Sequence, residues 1–248
     1  MSEAKPRHFK RGDGPLVSVL LPTRKRPSWL VQSVDSLHSL AKDQMQIEYI
    51  FKIDDDDQET VQLVNQMRKL LPPNGVKVIV SPRGEGFYDM HNWVNQMSKM
   101  ATGDWQLLWN DDAIMKTEHW DAQLACLDAD RQWHDLDEIC LCIAPTVGRV
   151  GANEFVFVRK EVPRILGHWS LSPHNDNWIH SVMHVCGSAW TVAINVMHMS
   201  HVIGDLTRQE SEAAYKRCGE EFNSLESYQA RLDDAQKILN YIKGKRDV

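Results

Sequence analysis

The stretch Gly103-Asp104-Trp105-Gln106-Leu107-Leu108-Trp109-Asn110-Asp111-Asp112 decides the fold of this chain. Gly103 ends the segment before it, and Trp105 to Trp109 is a short apolar run of the buried-strand kind. The run stops on an amide and two carboxylates. Carboxylates just beyond a strand end reach a bound cation without being buried. A departing diphosphate gathers negative charge, and the hard divalent cations that neutralise it prefer carboxylate oxygens. An Asp pair after an apolar strand also suits a helix cap or a turn. Taken alone, the triplet leaves cation site and cap both open.

Working upstream, strand and helix patterns alternate. Leu16 to Leu21 is an apolar, β-branched run stopped by Pro22. Pro27 and Ser28 open a helix, with Trp29, Leu30, Val34, Leu37 and Leu40 at helical spacing. Ile47 to Ile53 is a second strand and runs into the carboxylates Asp54 to Asp57. A helix carrying Val61, Val64 and Met67, a Pro72–Gly75 turn and a strand from Val76 to Val80 follow. The loop Pro82-Arg83-Gly84-Glu85-Gly86 then leads to a helix from Tyr88 to Met100. This alternation predicts an α/β fold with a mainly parallel central sheet, right-handed crossovers and flanking helices. Ligands of such sheets bind beyond the carboxyl ends of the strands. Thr23-Arg24, Asp54 to Asp57 and Asn110 to Asp112 all fall there.

Downstream the pattern is less regular. Trp120 to Leu127 reads as a helix, and Ile139 to Ala144 and Glu154 to Val158 as strands. Residues 163–190, rich in Trp, His, Asn and Asp, read as a loop and helix lining a site. Thr191 to Val196 reads as a strand leading to His198 and His201. Residues 211–243 form a charged helical segment with a stripe of Leu225, Leu232, Ile238, Leu239 and Ile242. That stripe predicts packing against the domain, or against a second copy in a homo-oligomer.

Each polar cluster has a bland reading beside a chemical one. In Pro22-Thr23-Arg24-Lys25-Arg26-Pro27, backbone and hydroxyl groups can hold a nucleoside and Arg can pair with phosphate. Arg83-Gly84-Glu85-Gly86 follows the third strand in the same way, and glycine allows close backbone approach. Neither loop has the glycine spacing of a dinucleotide fingerprint or a phosphate-binding P-loop. Asp57, with Glu59 and Thr60 in the next turn, suits a helix start, whereas Asp54 can accept hydrogen bonds from a base or ribose. His198 and His201 offer nitrogen ligands to the same metal, on one face if helical. Asp176, in Pro173-His174-Asn175-Asp176-Asn177-Trp178, is a candidate general base or an Asx turn and cap.

Composition narrows the classes. A net charge of −6 argues against tight nonspecific nucleic-acid binding, although basic stretches at 5–11 and 24–26 leave a local contact open. Five cysteines at irregular spacing fit no zinc site and suggest reduced thiols. The amino terminus is charged and lacks a signal-peptide pattern. No segment approaches the roughly 20 apolar residues of a membrane span. The expectation is a cytoplasmic protein with no transmembrane segment.

Together these residues resemble the GT-A class of glycosyltransferases, family 2-like. The matching order is Val17-Ser18-Val19-Leu20-Leu21-Pro22-Thr23-Arg24, Ile53-Asp54-Asp55, a Gly-containing loop with Asn92, and the stretch from Gly103 to Asp112. The resemblance implies a GT-A fold and sugar transfer from a nucleotide-diphosphate donor, usually UDP-linked, to a hydroxyl. It implies donor contacts from Pro22, Thr23, Arg24, Asp54, Asp55, Arg83, Asn110 and Asp111. Asp112 matches the last acid of the family's DxD motif, which binds Mn2+ or Mg2+, and His198 or His201 matches a further metal ligand. Asp176 matches the general base of an inverting transfer. The first DxD acid is replaced by Asn110. The implied layout is a lead-in at 1–14 and one catalytic domain at 15–210. Its donor half is 15–115, its acceptor half 116–210, and a helical segment at 211–248 closes it. The acceptor is a saccharide, suited to the Trp-rich 168–190 stretch, or a modified nucleic-acid base. A metal-dependent nucleotidyltransferase would carry a Gly-rich, Lys-containing loop after its first strand. An aspartyl-phosphate phosphatase would carry Asp-x-Asp-x-Thr there, and the chain has neither. A nucleotide-sugar-binding module without turnover is the non-enzyme alternative.

Overall fold

In the computed structural model, β1 (Val17–Thr23) is buried at nearly every position, as a strand covered on both faces must be. The structure describes residues 14–73, 75–129, 139–149, 151, 154–199 and 212–246. The lead-in up to residue 13 and His201 lie outside the described residues. β2 (Ile47–Asp54) and β4 (Trp105–Leu108) flank β1 in parallel, with Val17 opposite both Ile47 and Trp105. β3 (Val76–Ser81) extends this parallel array beyond β2. The helices α1 (Pro27–Ser39), α2 (Gln58–Met67) and α3 (Met90–Met100) connect these strands. Because β2 and β4 lie on opposite sides of β1, the strand order reverses there. A ligand crevice forms at such a point, beyond the carboxyl ends.

β1 does not stop at Pro22 as expected; it continues to Thr23. Trp109 N–H donates to Leu20 O, and the β1–β4 pairing ends at Leu20. Pro22, two residues on, turns its nitrogen to the same side, where no strand remains to be bonded. Beyond β4 the sheet turns antiparallel through β7 (Phe155–Arg159) and β6 (Leu141–Ala144), and β8 (Ala189–Thr191) then pairs parallel with β6. The full order is β3-β2-β1-β4-β7-β6-β8.

A second, two-stranded sheet pairs β5 (Ala113–Met115) with β9 (Val196–His198), and Ala113 lies opposite His198. Thr191 to Val196 is therefore not one strand. Thr191 ends β8 in the large sheet, Val196 begins β9 in the small one, and buried Val192 and Ile194 cross between them. The apolar run marks a buried crossover, which alternation cannot distinguish from a strand. The three-residue β5 carried no readable pattern. The helix expected from Tyr88 begins as a 3-10 turn at Gly86–Asp89 before becoming α3.

Among the described residues, the other α-helices are α4 (Trp120–Ala129), α5 (Glu161–Leu166), α6 (Asn175–Val185), α7 (Glu212–Phe222) and α8 (Leu225–Arg246). One face of the sheet buries Leu30, Val34, Phe51, Trp109, Trp120 and Phe157 in one apolar cluster. The other buries Leu20, Ile50, Val94, Met97, Val156 and Trp178. From α8, Ala235, Ile238 and Ile242 join this second cluster, so Ile238 and Ile242 of the carboxyl-terminal stripe pack on the domain, whereas Leu225 and Leu239 are exposed. Asp234 anchors α8, accepting from Trp178 Nε1 at 3.1 Å and pairing with His168 at 2.8 Å. All five cysteines are free. No helix among the described residues is long and apolar enough to cross a membrane.

The Gly103-Asp104-Trp105 start of β4 serves the fold. A Cβ at Gly103 would lie 2.7 Å from Ser18 N, so only glycine lets the chain enter the sheet there. Asp104 is buried and pairs with Lys160 at 2.7 Å. Trp105 lies under the Arg159 guanidinium at 4.9 Å. All three sit at the amino end of the strand, opposite the crevice.

Candidate active site

At the carboxyl end of β4, Asn110-Asp111-Asp112 forms a turn into β5, closed by Ala113 N–H donating to Asn110 O at 3.1 Å. No helix starts here, so of the two bland readings the turn is the one observed. Ser33 of α1 pins this turn: its Oγ donates to Asn110 O at 3.0 Å and accepts from Trp109 Nε1 at 2.7 Å.

The triplet meets the end of β1. Thr23 Oγ1 donates to Asp111 Oδ2 at 2.9 Å, and Arg26 donates to Asp111 Oδ1 at 3.2 Å. The same guanidinium nitrogen lies 3.8 Å from Asp112 Oδ2. Burial pushes the Asp111 carboxyl up to about 6, opposed by the Arg26 charge and reinforced by Asp112.

Asp112 faces the small sheet. Its Oδ1 is 3.0 Å from His198 Nε2, while Glu154 Oε2 is 3.2 Å from His198 Nδ1. Burial by itself would lower the imidazole; the hydrogen bonds to Asp112 and Glu154 outweigh it and raise His198 to about 9. Burial likewise opposes ionisation of Asp112, but His198 and Arg26 hold it below the usual carboxylate value. Asp176 lies in the first turn of α6. Burial pushes its carboxyl up to about 6; backbone N–H groups at the helix start hold it back, Glu154 raises it and His198 lowers it. Asp176 thus shares an electrostatic environment with the Asp112–His198–Glu154 chain.

The end of β2 is a charge-compensated cluster. Arg24 Nε lies 2.9 Å from Asp54 Oδ2, and its Nη2 lies 2.8 Å from Asp56. Buried Lys52 pairs with Asp54 and sits 3.9 Å over the Trp93 ring. Asp57 caps α2 through Thr60 N–H at 3.2 Å and also accepts from Lys25 N–H. The helix-start reading holds for Asp57, and Asp55 is exposed. Arg83 follows β3, the outermost strand, separated from β1 by β2. There Gly84 and Gly86 adopt left-handed φ values of 60° and 64°.

Among the described residues, no three His, Cys, Asp or Glu side chains form a complete metal cage. Asp112 and His198 supply one carboxylate oxygen and one imidazole nitrogen. That pair suits Mn2+ or Mg2+ when substrate phosphates and water complete the shell. Sequence reasoning missed Glu154, which was read only as the first residue of a strand, and gave Arg26 and Lys52 no separate role. A charged residue inside the apolar run Ile47–Ile53 was the one available signal, for Lys52.

Residues 18–132 match the family model described as glycosyl transferase family 2. No curated protein sequence matches the chain. Among solved structures, S. aureus TarS aligns at 14% identity over 86% of this chain, with a TM-score of 0.56. The chain spans 41% of that TarS chain. TarS 1-349 in complex with UDP aligns at 15% identity, over 86% of this chain and 68% of that one, with a TM-score of 0.56. The mannosyltransferase PcManGT from Pyrobaculum calidifontis, in complex with GDP-Man and Mn2+, aligns at 14% identity. It covers 95% of this chain and 78% of its own, with a TM-score of 0.59. At these identities the structures speak for the fold alone, and the family match speaks for residues 18–132. Residues 18–132 are thus similar in sequence to glycosyl transferase family 2, and most of the chain shares the fold of these structures.

Proposed function

We propose that the protein transfers a hexosyl or pentosyl group from a UDP-linked donor to a hydroxyl acceptor, with inversion and with a divalent cation. The observation that carries this reading is the cluster of Thr23, Arg26, Asp111, Asp112 and His198 at the reversal point of the sheet. Its support from likeness is that a TarS structure holds UDP and the PcManGT structure holds GDP-Man and Mn2+.

Thr23 and Asp54 take the nucleoside, with Pro22, Arg24, Asp55 and Arg83 around it. Arg24 and Lys52 fix Asp54 as an acceptor. Asn110 and Asp111 take the ribose and sugar hydroxyls. Asp112 and His198 hold Mn2+ or Mg2+, which neutralises charge on the leaving diphosphate. Arg26 is placed to exchange its carboxylate partners for a phosphate. Asp176 accepts the proton of the acceptor hydroxyl. The acceptor oxygen bonds the anomeric carbon as the bond from that carbon to the diphosphate oxygen breaks.

One feature favours a nucleotide-sugar-binding module without turnover: the amide at position 110. A thermal-shift screen of nucleotide sugars with Mn2+, followed by donor hydrolysis with and without chelator, separates the two. The expected result is a melting temperature raised by one UDP-sugar and Mn2+-dependent release of UDP. Binding that ignores metal and never leads to turnover sinks the enzyme reading. A saccharide acceptor predicts weak, nonspecific and strongly salt-dependent DNA binding at most; tight binding to a modified-base duplex would favour the nucleic-acid acceptor instead.

A further inference from the structure

We propose that Glu154 is a positioning residue that selects which nitrogen of His198 is offered to the cation. The proposal rests on the metal reading above. The two ring nitrogens are engaged from opposite edges: Nε2 by Asp112 at 3.0 Å, Nδ1 by Glu154 at 3.2 Å. With both nitrogens facing carboxylates, the metal-free ring donates from each; a cation at Asp112 would displace the Nε2 proton, while the carboxylate of Glu154 would keep the other on Nδ1. Glu154 sits on the far edge of the ring from Asp112, so it does not share an ion with Nε2.

Glu154 is itself held. Buried Thr146 donates to Glu154 Oε2 at 3.1 Å, and Arg149 pairs with Oε1. Thr146 also forms a β-bridge to Val196, two residues before His198 on β9. The backbone pairing that places His198 therefore also places the hydroxyl that orients Glu154. The next residue, Phe155, packs edge-on against the His198 ring, with centroids 5.4 Å apart and planes at 77°. One dipeptide thus sets both the tautomer and the tilt of the ligand.

The test uses the full chain with UDP as the nucleotide probe and reads Mn2+ affinity by electron paramagnetic resonance of the free ion. Glu154→Gln is expected to weaken Mn2+ binding about 10–100-fold, the usual effect of losing an outer-shell partner. UDP affinity in metal-free buffer is expected to stay unchanged. Thr146→Val, which keeps the carboxylate but frees it, is expected to move Mn2+ affinity in the same direction by less, and carries the test alone if Glu154→Gln does not fold. Unchanged Mn2+ affinity in the folded variants overturns the proposal. So does an equal loss of Mn2+ and metal-free UDP binding, which marks a merely structural pair. A wild-type chain that binds no Mn2+ with UDP overturns the metal reading, and this role with it.

Discussion

Asp176 carries a carboxyl pushed up to about 6 by burial, which matches a base to neutral pH. Below that value it holds its own proton and cannot take one from an acceptor. Turnover is therefore expected to rise as pH climbs through about 6 and to level off above it. Asp176→Asn should lower kcat by about 10²–10⁴-fold, remove that limb of the profile and leave donor affinity intact. A pH–rate profile of both forms checks this, and an unaltered limb in the variant would assign the base elsewhere. The sequence marked Asp176 as a carboxylate before an apolar helical pattern. Its shift was not legible, because it comes mainly from burial of the carboxyl, which tertiary packing sets.

At the level of elements, the most family-specific stretch divides in two. Its first three residues build the strand and its last three line the crevice. Gly103 shows the physical demand most directly: an added methyl would meet backbone at 2.7 Å, which no rotamer change relieves. Gly103→Ala should destabilise the protein by about 1–3 kcal/mol, the usual cost of overpacking, as read from urea denaturation midpoints. Donor affinity of the folded fraction should be unaffected, since Gly103 lies at the opposite end of the strand from Asp111. Asp57 follows the same logic one strand over. Its place at the end of a carboxylate run, three residues before Thr60, identified it as a cap, and it is one. The β5–β9 ribbon was not legible, because three-residue strands carry no period to read.

Across the whole molecule, buried charges set a pH window for stability. Glu48, Asp57, Asp112, Glu154 and Asp234 all have lowered carboxyl values. Each contributes stability above its ordinary value that is lost as pH falls. His38, His91, His174 and His180 are held neutral by burial and add to the loss below 6.5. Asp111 and Asp176, both raised to about 6, work in the opposite direction as they ionise. His198, raised to about 9, contributes stability fully present below 6.5 and lost as pH rises through about 9. The metal-free chain is expected to melt at lower temperature as pH rises from 6.5 towards 9, and again in acid. His198→Gln should abolish the alkaline decline in a melting series across pH, while retention of that decline would place its origin in another group.

The sequence by itself determined the parallel half and the strand ends on which the acids sit. Those features are local: alternation of apolar periods builds β1 to β4 in order, and parallel pairing brings every strand end to one edge. Tertiary structure alone decided which groups meet there. Thr23 and Asp111 are 88 residues apart, and His198 and Asp112 are 86. His198 reaches its place through an antiparallel ribbon, and Glu154 through a strand inserted from the second half. Such contacts are set by register between distant segments, which no local period encodes. The same packing gave Asp54 its distant partner Arg24, while Lys52, on the same strand β2, is a local one.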